Sequence, residues 1–365
     1  MFRMLWKKKV AIVLVILIVI TLPVAITRPA QMLNKAVFTT IGIEKENDMY
    51  TITGEVIVNQ FNEFGAKFIE ITSGSGENIN EAINKISQIR GRTMSLAHCS
   101  LIILGKGMEG EDISQLLTFF LHRTEISSNC SLLWTSAPME ELLTLSKEAA
   151  DNRTNHLQQI ADFNRKNQFG EPATLKQFFK DYFRLSKTSM IPIVSIHADA
   201  IYNPNTIAVF EDGKYTFSIS DEEATFLAFL NRRASRKQIS IEDVEVDGKT
   251  YRAVAEVQVN RHRIRTRLDN NVPTVRIRVR TRLKIMDMTP HTFVDLKSPD
   301  MPARQIATAF EKDLIAGLTK SLALIPENGT DFMQFTDRFW QMHRYTGDIT
   351  DHLAFEFNVK ARVVN

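Results

Sequence analysis

The stretch Arg261-His262-Arg263-Ile264-Arg265-Thr266-Arg267-Leu268 is followed, after Asp269-Asn270-Asn271-Val272-Pro273, by Thr274-Val275-Arg276-Ile277-Arg278-Val279-Arg280-Thr281-Arg282-Leu283-Lys284. Cations alternate with apolar or small residues along both arms. A period of two belongs to a strand with one buried face, and the polar turn joins the arms as a hairpin. The arginines share one face, and Ile264, Leu268, Ile277, Val279 and Leu283 share the other.

Working outward, Asp247-Gly248 turns an earlier hairpin from about Ile239. Downstream, Ser298 or Asp300 is read as the cap of a long helix with Pro302 in its first turn. Ile306, Phe310, Leu314, Leu318 and Leu322 carry its apolar face as far as Pro326. Asp331 opens a short helix holding Phe332, Phe335, Phe339 and Trp340. The end alternates strictly, with Leu353, Phe355, Phe357, Val359, Ala361 and Val363 on one side and Glu356, Asn358, Lys360 and Arg362 on the other. Residues 239–365 are therefore expected to form a mostly antiparallel sheet covered by a long helix.

Residues 172–238 read as a smaller middle α/β unit. Phe178, Phe179, Tyr182 and Phe183 line one side of a short helix. Ile207–Phe210 and Tyr215–Ile219 flank Asp212-Gly213, a strong hairpin signal. Ser220-x-x-Glu223 is a capping box before Phe226, Leu227 and Leu230. A unit of this size is expected to lean on its neighbours. Residues 151–171 are polar and read as a linker, helical around His156–Asn164.

Residues 34–150 alternate strands and helices, the pattern of an α/β domain. Strands are expected at Ala36–Ile43, Tyr50–Gln60, Phe64–Ile71, Ser95–Leu104 and Ser128–Thr135. The first two are joined at Glu46-Asn47-Asp48. Ser73-Gly74-Ser75-Gly76 reads as punctuation before a helix with Ile79, Ile83, Ile86 and Ile89 on one side. Ile113, Leu116, Leu117 and Phe120 mark a second helix, and Pro138 opens a third running to about Ala149.

Residues 1–30 are of another kind. Arg3, Lys7, Lys8, Lys9 and the amino terminus precede the uncharged run Val10–Ile26, about 26 Å as a helix and close to the thickness of a bilayer core. The charge bias puts the N-terminus in the cytoplasm and the remainder on the extracytoplasmic side. A cleaved signal peptide is the rival reading, with a poor small-x-small site after Leu22 and a long apolar region against it.

The 365 residues are 44% hydrophobic and 24% charged, with net charge +3, an ordinary globular composition. Two cysteines, Cys99 and Cys130, are too few for a disulfide scaffold. They read as buried thiols on neighbouring strands, or as one disulfide. There is no Cys-x-x-Cys, His-Glu-x-x-His or Gly-x-Ser-x-Gly, and Gly105-Lys106-Gly107 lacks phosphate-loop spacing. No catalytic, metal or cofactor residues are assigned. Like charges opposite one another on paired strands repel. Arg263, Arg265, Arg276, Arg278 and Arg280 are thus the candidate contacts for an anionic lipid, a cell-wall polymer or an acidic partner. Nucleic acid is disfavoured, because no aromatic residue alternates with the arginines as a stacking platform.

The order of segments resembles the C-subunit family of spore germination receptors, the Ger(x)C proteins of endospore-forming bacteria. The resemblance rests on Thr40-Ile41-Gly42-Ile43-Glu44-Lys45, the Arg92–Gly105 stretch with His98 and its aliphatic strand, and Leu117–Ile126 with Arg123-Thr124-Glu125. Pro192, Ala208-Val209-Phe210-Glu211-Asp212-Gly213-Lys214 and Asp331-Phe332 extend it. It implies three consecutive α/β domains in a non-enzymatic subunit of a nutrient-germinant receptor. Such a subunit lies on the outer surface of the spore inner membrane beside two integral membrane subunits. One departure concerns the family's lipoprotein cysteine. The stretch Thr27-Arg28-Pro29-Ala30-Gln31-Met32 has none, so the apolar run is expected to replace the lipid.

Overall fold

The structure is a computed structural model that describes residues 35–58, 68–149, 155–167, 170, 172–231, 234–246, 249–269, 272–289 and 302–364. Among these residues no helix is long and apolar enough to cross a membrane. The run Val10–Ile26, to which the expected spanning helix belongs, lies outside them, as do Ser298, Asp300 and the turn at Asn270-Asn271.

The first sheet is built from β1 (Lys35–Glu46), β2 (Met49–Val58) and β3 (Phe68–Gly76), then α1 (Ile79–Arg90), β4 (Thr93–Ser95), β5 (Leu101–Leu104), α2 (Ile113–Leu121) and β6 (Ser131–Trp134). Its order is β3-β2-β1-β5-β6, with β4 also paired to β1. The β1–β2 turn carries Asn47 and Asp48 at positive φ, which side chains of this kind tolerate. Antiparallel pairing in β3-β2-β1 gives way to parallel pairing in β1-β5-β6.

Three local expectations are corrected here. Ser73–Gly76 do not interrupt the strand but finish β3. A Cβ on Gly74 would sit 2.7 Å from the Ala82 carbonyl, so the glycines let α1 lie directly on the sheet. The run Ser95–Leu104 is two strands rather than one. A turn closed by Cys99 N–H to the Leu96 carbonyl (3.0 Å) separates β4 from β5, opposite the register shift in β1 between Phe38 and Thr40. Ile89 is 71% exposed while Ile79, Ile83 and Ile86 are buried, because α1 ends at Gly91 with φ 61° and its last turn overhangs the core.

Helices α3 (Met139–Ala149) and α4 (His156–Asn167) cover the other face of this sheet. Leu142, Leu143, Leu157 and Ile160 meet Leu101, Ile103 and Leu133 there. Helix α4 thus places part of the segment 151–171 in a core. It is also pinned by a polar cluster, in which the Asn155 amide donates to Thr40 Oγ1 (2.7 Å) and to the Glu55 carboxylate.

The chain continues through α5 (Leu175–Tyr182), β7 (Thr188–Pro192), the small hairpin β8 (Ser195–His197) and β9 (Ala200–Tyr202), then β10 (Ile207–Glu211), β11 (Lys214–Ile219) and α6 (Asp221–Leu227). Asp212 and Gly213 have φ of 48° and 80°, the geometry a two-residue hairpin turn requires. The capping box at Ser220 and Glu223 is formed. Strand β10 is buried on both faces. Ile207 and Val209 enter the core of the C-terminal part, whereas Ala208 and Phe210 enter that of the first sheet. Phe183 follows α5 and is 78% exposed, off the apolar side expected for it.

The third sheet has the order β12 (Gln238–Val246), β13 (Lys249–Asp269), β14 (Val272–Thr289) and β15 (Ala354–Val363). The first three are antiparallel, and β15 joins β14 in parallel. Helix α7 (Ala303–Asn328) covers one face with Ile306, Phe310, Leu314, Leu318 and Leu322 buried, and runs two residues past Pro326. Helix α8 (Phe335–His343) buries Phe335 and Phe339. Trp340 is 40% exposed. The architecture is a mixed α+β fold of tightly packed parts.

Candidate functional site: a basic sheet face

Strand β13 changes parity along its length. Ala253, Ala255 and Val257 face the core, and a register shift between Val257 and Val259 leaves Gln258 as an extra residue. Beyond it Asn260 is buried, and Arg261, Arg263, Arg265 and Arg267 emerge on the solvent side. A bulge inserts one residue and so exchanges the faces of everything that follows.

The register then stacks cations in rows across three strands. Arg261 stands opposite Arg280 and Lys360, Arg263 opposite Arg278 and Asn358, and Arg265 opposite Arg276 and Glu356. Arg282 pairs in register with Arg362. All five arginines singled out from the sequence (Arg263, Arg265, Arg276, Arg278, Arg280) are exposed on this face. With Arg261, Arg267, Arg282, Lys284, Lys360 and Arg362, it holds eleven of the 45 lysines and arginines, which leaves carboxylates in excess over the remainder of the chain.

Few acids answer them. Arg276 Nε lies 2.6 Å from the Glu356 carboxylate, a hydrogen bond that pushes the guanidinium further toward its charged form. Arg267 pairs with Asp269 at 2.5 Å. Among the described residues no carboxylate lies within ion-pair distance of Arg261, Arg263, Arg265, Arg278, Arg280 or Arg282. On the other side of the bulge the sheet is balanced, with Arg252 2.8 Å from Glu242 and Glu256 opposite Lys284.

The edge of β13 beyond the bulge borders a groove of about 690 Å³ lined by Arg184, Arg263, Arg265, Asp337, Arg338 and Met342, among others. It adjoins a cavity of about 420 Å³ between the three parts of the chain, lined by Gln177, Asp181, His262, Gln334 and Arg338 with apolar neighbours. Asp181 accepts hydrogen bonds from Gln177 and Gln334 (each 3.0 Å), while burial pushes its carboxyl above the usual range. Sequence reasoning missed Arg184 and Arg338. The first follows an aromatic helix and the second interrupts another, so no periodic pattern marks them.

Cys99 and Cys130 are free and buried. They sit in the loops leading into β5 and β6 rather than on the strands. The neighbouring Cys99 thiol, together with burial, pushes the Cys130 thiol up. His98, beside Cys99, is exposed. Among the described residues no three metal-ligating side chains cluster.

Two family models match in tandem. The spore germination protein N-terminal domain covers residues 31–196, and the spore germination B3/GerAC-like C-terminal domain covers residues 205–365. Spore germination protein KC of Bacillus subtilis (strain 168) is 22% identical, over 92% of this chain and 88% of that protein. The crystal structure of the GerBC protein superposes with a TM-score of 0.58 at 15% identity, covering 89% of this chain and 97% of that one; the two share a fold. With both models matched in order over nearly all the described residues, the chain belongs to the germinant-receptor C-subunit, or Ger(x)C, family of spore germination proteins.

Proposed function

We propose that this chain is a non-enzymatic, membrane-anchored subunit of a nutrient-germinant receptor-like complex, working through protein contacts on the extracytoplasmic side. Membership of the family supports a role in spore germination, and the family is not a known enzyme family. The observation that carries the reading is the tandem match, which leaves only residues 197–204 between the two models. The anchor rests on the sequence, where Lys7-Lys8-Lys9 precede the uncharged run Val10–Ile26. The integral membrane subunits of the same complex are the expected partners.

The test is germination of spores lacking the gene. Loss of response to at least one nutrient, with an intact response to a non-nutrient trigger, is the expected result. Normal germination with every nutrient would overturn the reading. Mass spectrometry of the membrane-extracted protein tests the anchor, since a mature N-terminus near residue 26 would remove it. A second reading, a binding module for anionic lipid or cell-wall polymer, draws on the arginine rows and is compatible with the first.

A further inference from the structure

Most of the arginines in these rows have no carboxylate partner among the described residues; Arg276, paired with Glu356, and Arg267, paired with Asp269, are the exceptions. Five like-charged pairs stand directly opposite one another, three between β13 and β14 and two between β14 and β15, an arrangement that destabilises paired strands. The fold does not demand it, because the same sheet is balanced on the far side of the bulge by Glu242 and Glu256. The buried side of the rows is core: Ile277, Val279 and Leu283 are fully buried. The cations therefore stand on a stiff base. Same-face neighbours are about 7 Å apart along a strand and about 5 Å apart across strands.

The shape of this surface narrows the occupant. Arg278 and Arg280 lie on the central strand of the basic region; Arg280 stands between Arg261 and Lys360, and Arg278 between Arg263 and the uncharged Asn358, so the charge spreads over a surface three strands wide. A peptide or a small anion is held by a pocket or a strand edge, whereas a plane of regularly spaced guanidinium groups complements a plane of phosphodiesters. Arginine is also the cation best suited to phosphate. The eight residues 27–34 between the apolar run and β1 span about 28 Å when fully extended. A domain on so short a tether stays beside the bilayer, where many weak contacts act together.

We propose that the face centred on Arg263, Arg265, Arg278 and Arg280 lies against the headgroup phosphates of an anionic lipid bilayer. This rests on the membrane-anchored reading above. Docked in this way, the sheet turns α7 away from the membrane, leaving that side of the chain open to partners.

The test uses the full chain reconstituted into vesicles of phosphatidylcholine alone, or of equal parts phosphatidylcholine and phosphatidylglycerol. Arginine-selective labelling is read peptide by peptide. In the anionic vesicles, labelling at Arg263, Arg278 and Arg280 is expected to slow about tenfold, with recovery once salt shortens the Debye length to about 3 Å. Arg252, paired with Glu242, serves as the unaffected site. Combined Arg263→Gln, Arg278→Gln and Arg280→Gln should abolish the difference between vesicles at the remaining arginines of the face, with an unchanged melting curve showing that the fold persists. Equal labelling in both vesicle types would overturn the proposal. Protection in neutral vesicles by soluble polyglutamate would overturn it in favour of an acidic protein partner, and protection by inorganic phosphate alone in favour of a small-anion site. Flotation separates the two readings. A chain that fails to float with neutral vesicles loses the anchor, while salt-sensitive flotation with anionic vesicles would still support the basic face.

Discussion

Trp134 and Phe210 meet edge to face with ring centroids 5.2 Å apart, although one ends the last strand of the first sheet and the other lies on the middle hairpin. Trp134 also stacks on Tyr215 at 5.7 Å, the ring planes 6° apart, and its carbonyl accepts from the Val194 N–H at 2.9 Å. The aromatic cluster therefore ties the first sheet to the hairpin, and the opposite face of β10 ties the hairpin to the C-terminal core. Trp134→Ala should cost about 3–5 kcal/mol. The loss should appear in one transition shared by probes in both halves of the chain, because β10 belongs to both cores. Urea unfolding followed by fluorescence and by hydrogen exchange checks this; two separated transitions in the unsubstituted chain would count against a shared core.

How much of this was legible in the sequence depended on the range of the interaction. The Asp212-Gly213 hairpin, the Ser220 capping box and the apolar stripe of α7 are local patterns, fixed by a few neighbouring residues, and they are present as read. Alternation assigned the arginines to one face. It could not give the rows, which depend on the bulge at Gln258 and on the parallel docking of β15 beside β14. Gly74 looked like a breaker because the helix it admits becomes a neighbour only in the folded chain. Arg184 and Arg338 come from different elements and meet at a groove, so no spacing in the sequence announces them.

Gly317 tests the contact between α6 and α7. A Cβ there would come within 2.4 Å of the Phe226 ring. On an exposed helix Gly→Ala gains up to about 1 kcal/mol. Here the overpacking should outweigh that gain, giving a net loss of about 1–2 kcal/mol. A lower urea midpoint with an unchanged slope is the expected outcome, and a raised midpoint would show that the ring moves aside without cost.

Glu55 gives stability a pH dependence. Burial pushes its carboxyl above the ordinary value of 4.5, opposed by hydrogen bonds from Thr40, Ser146, Thr39 and Asn155. The unfolded chain therefore releases this proton at lower pH than the folded one. Its contribution is fully present below the ordinary value and is lost as pH rises through the folded value. Glu55→Gln keeps an acceptor for Asn155 and has no proton to lose. The variant should show a smaller decline in stability with rising pH, measured as the difference in unfolding free energy between the two proteins across a pH series.

The two cysteines supply a measure of opening. Thiolate, not thiol, reacts with alkylating reagents, and the neighbouring Cys99 thiol and burial both favour the protonated form of Cys130. Both side chains are buried, at 3% and 1% exposure, in loops that lead directly into the central strands β5 and β6. Modification then requires those loops to open, so its rate follows the population of open forms rather than the chemistry of an exposed thiol. In mildly alkaline buffer a maleimide should leave both cysteines intact in the native protein and label both after denaturation. Adding Trp134→Ala, which loosens the sheet beside Cys130, should speed native-state labelling roughly in proportion to the stability lost, about tenfold for each 1.4 kcal/mol. Rapid labelling of the native unsubstituted chain would mean that these loops open independently of the core they border.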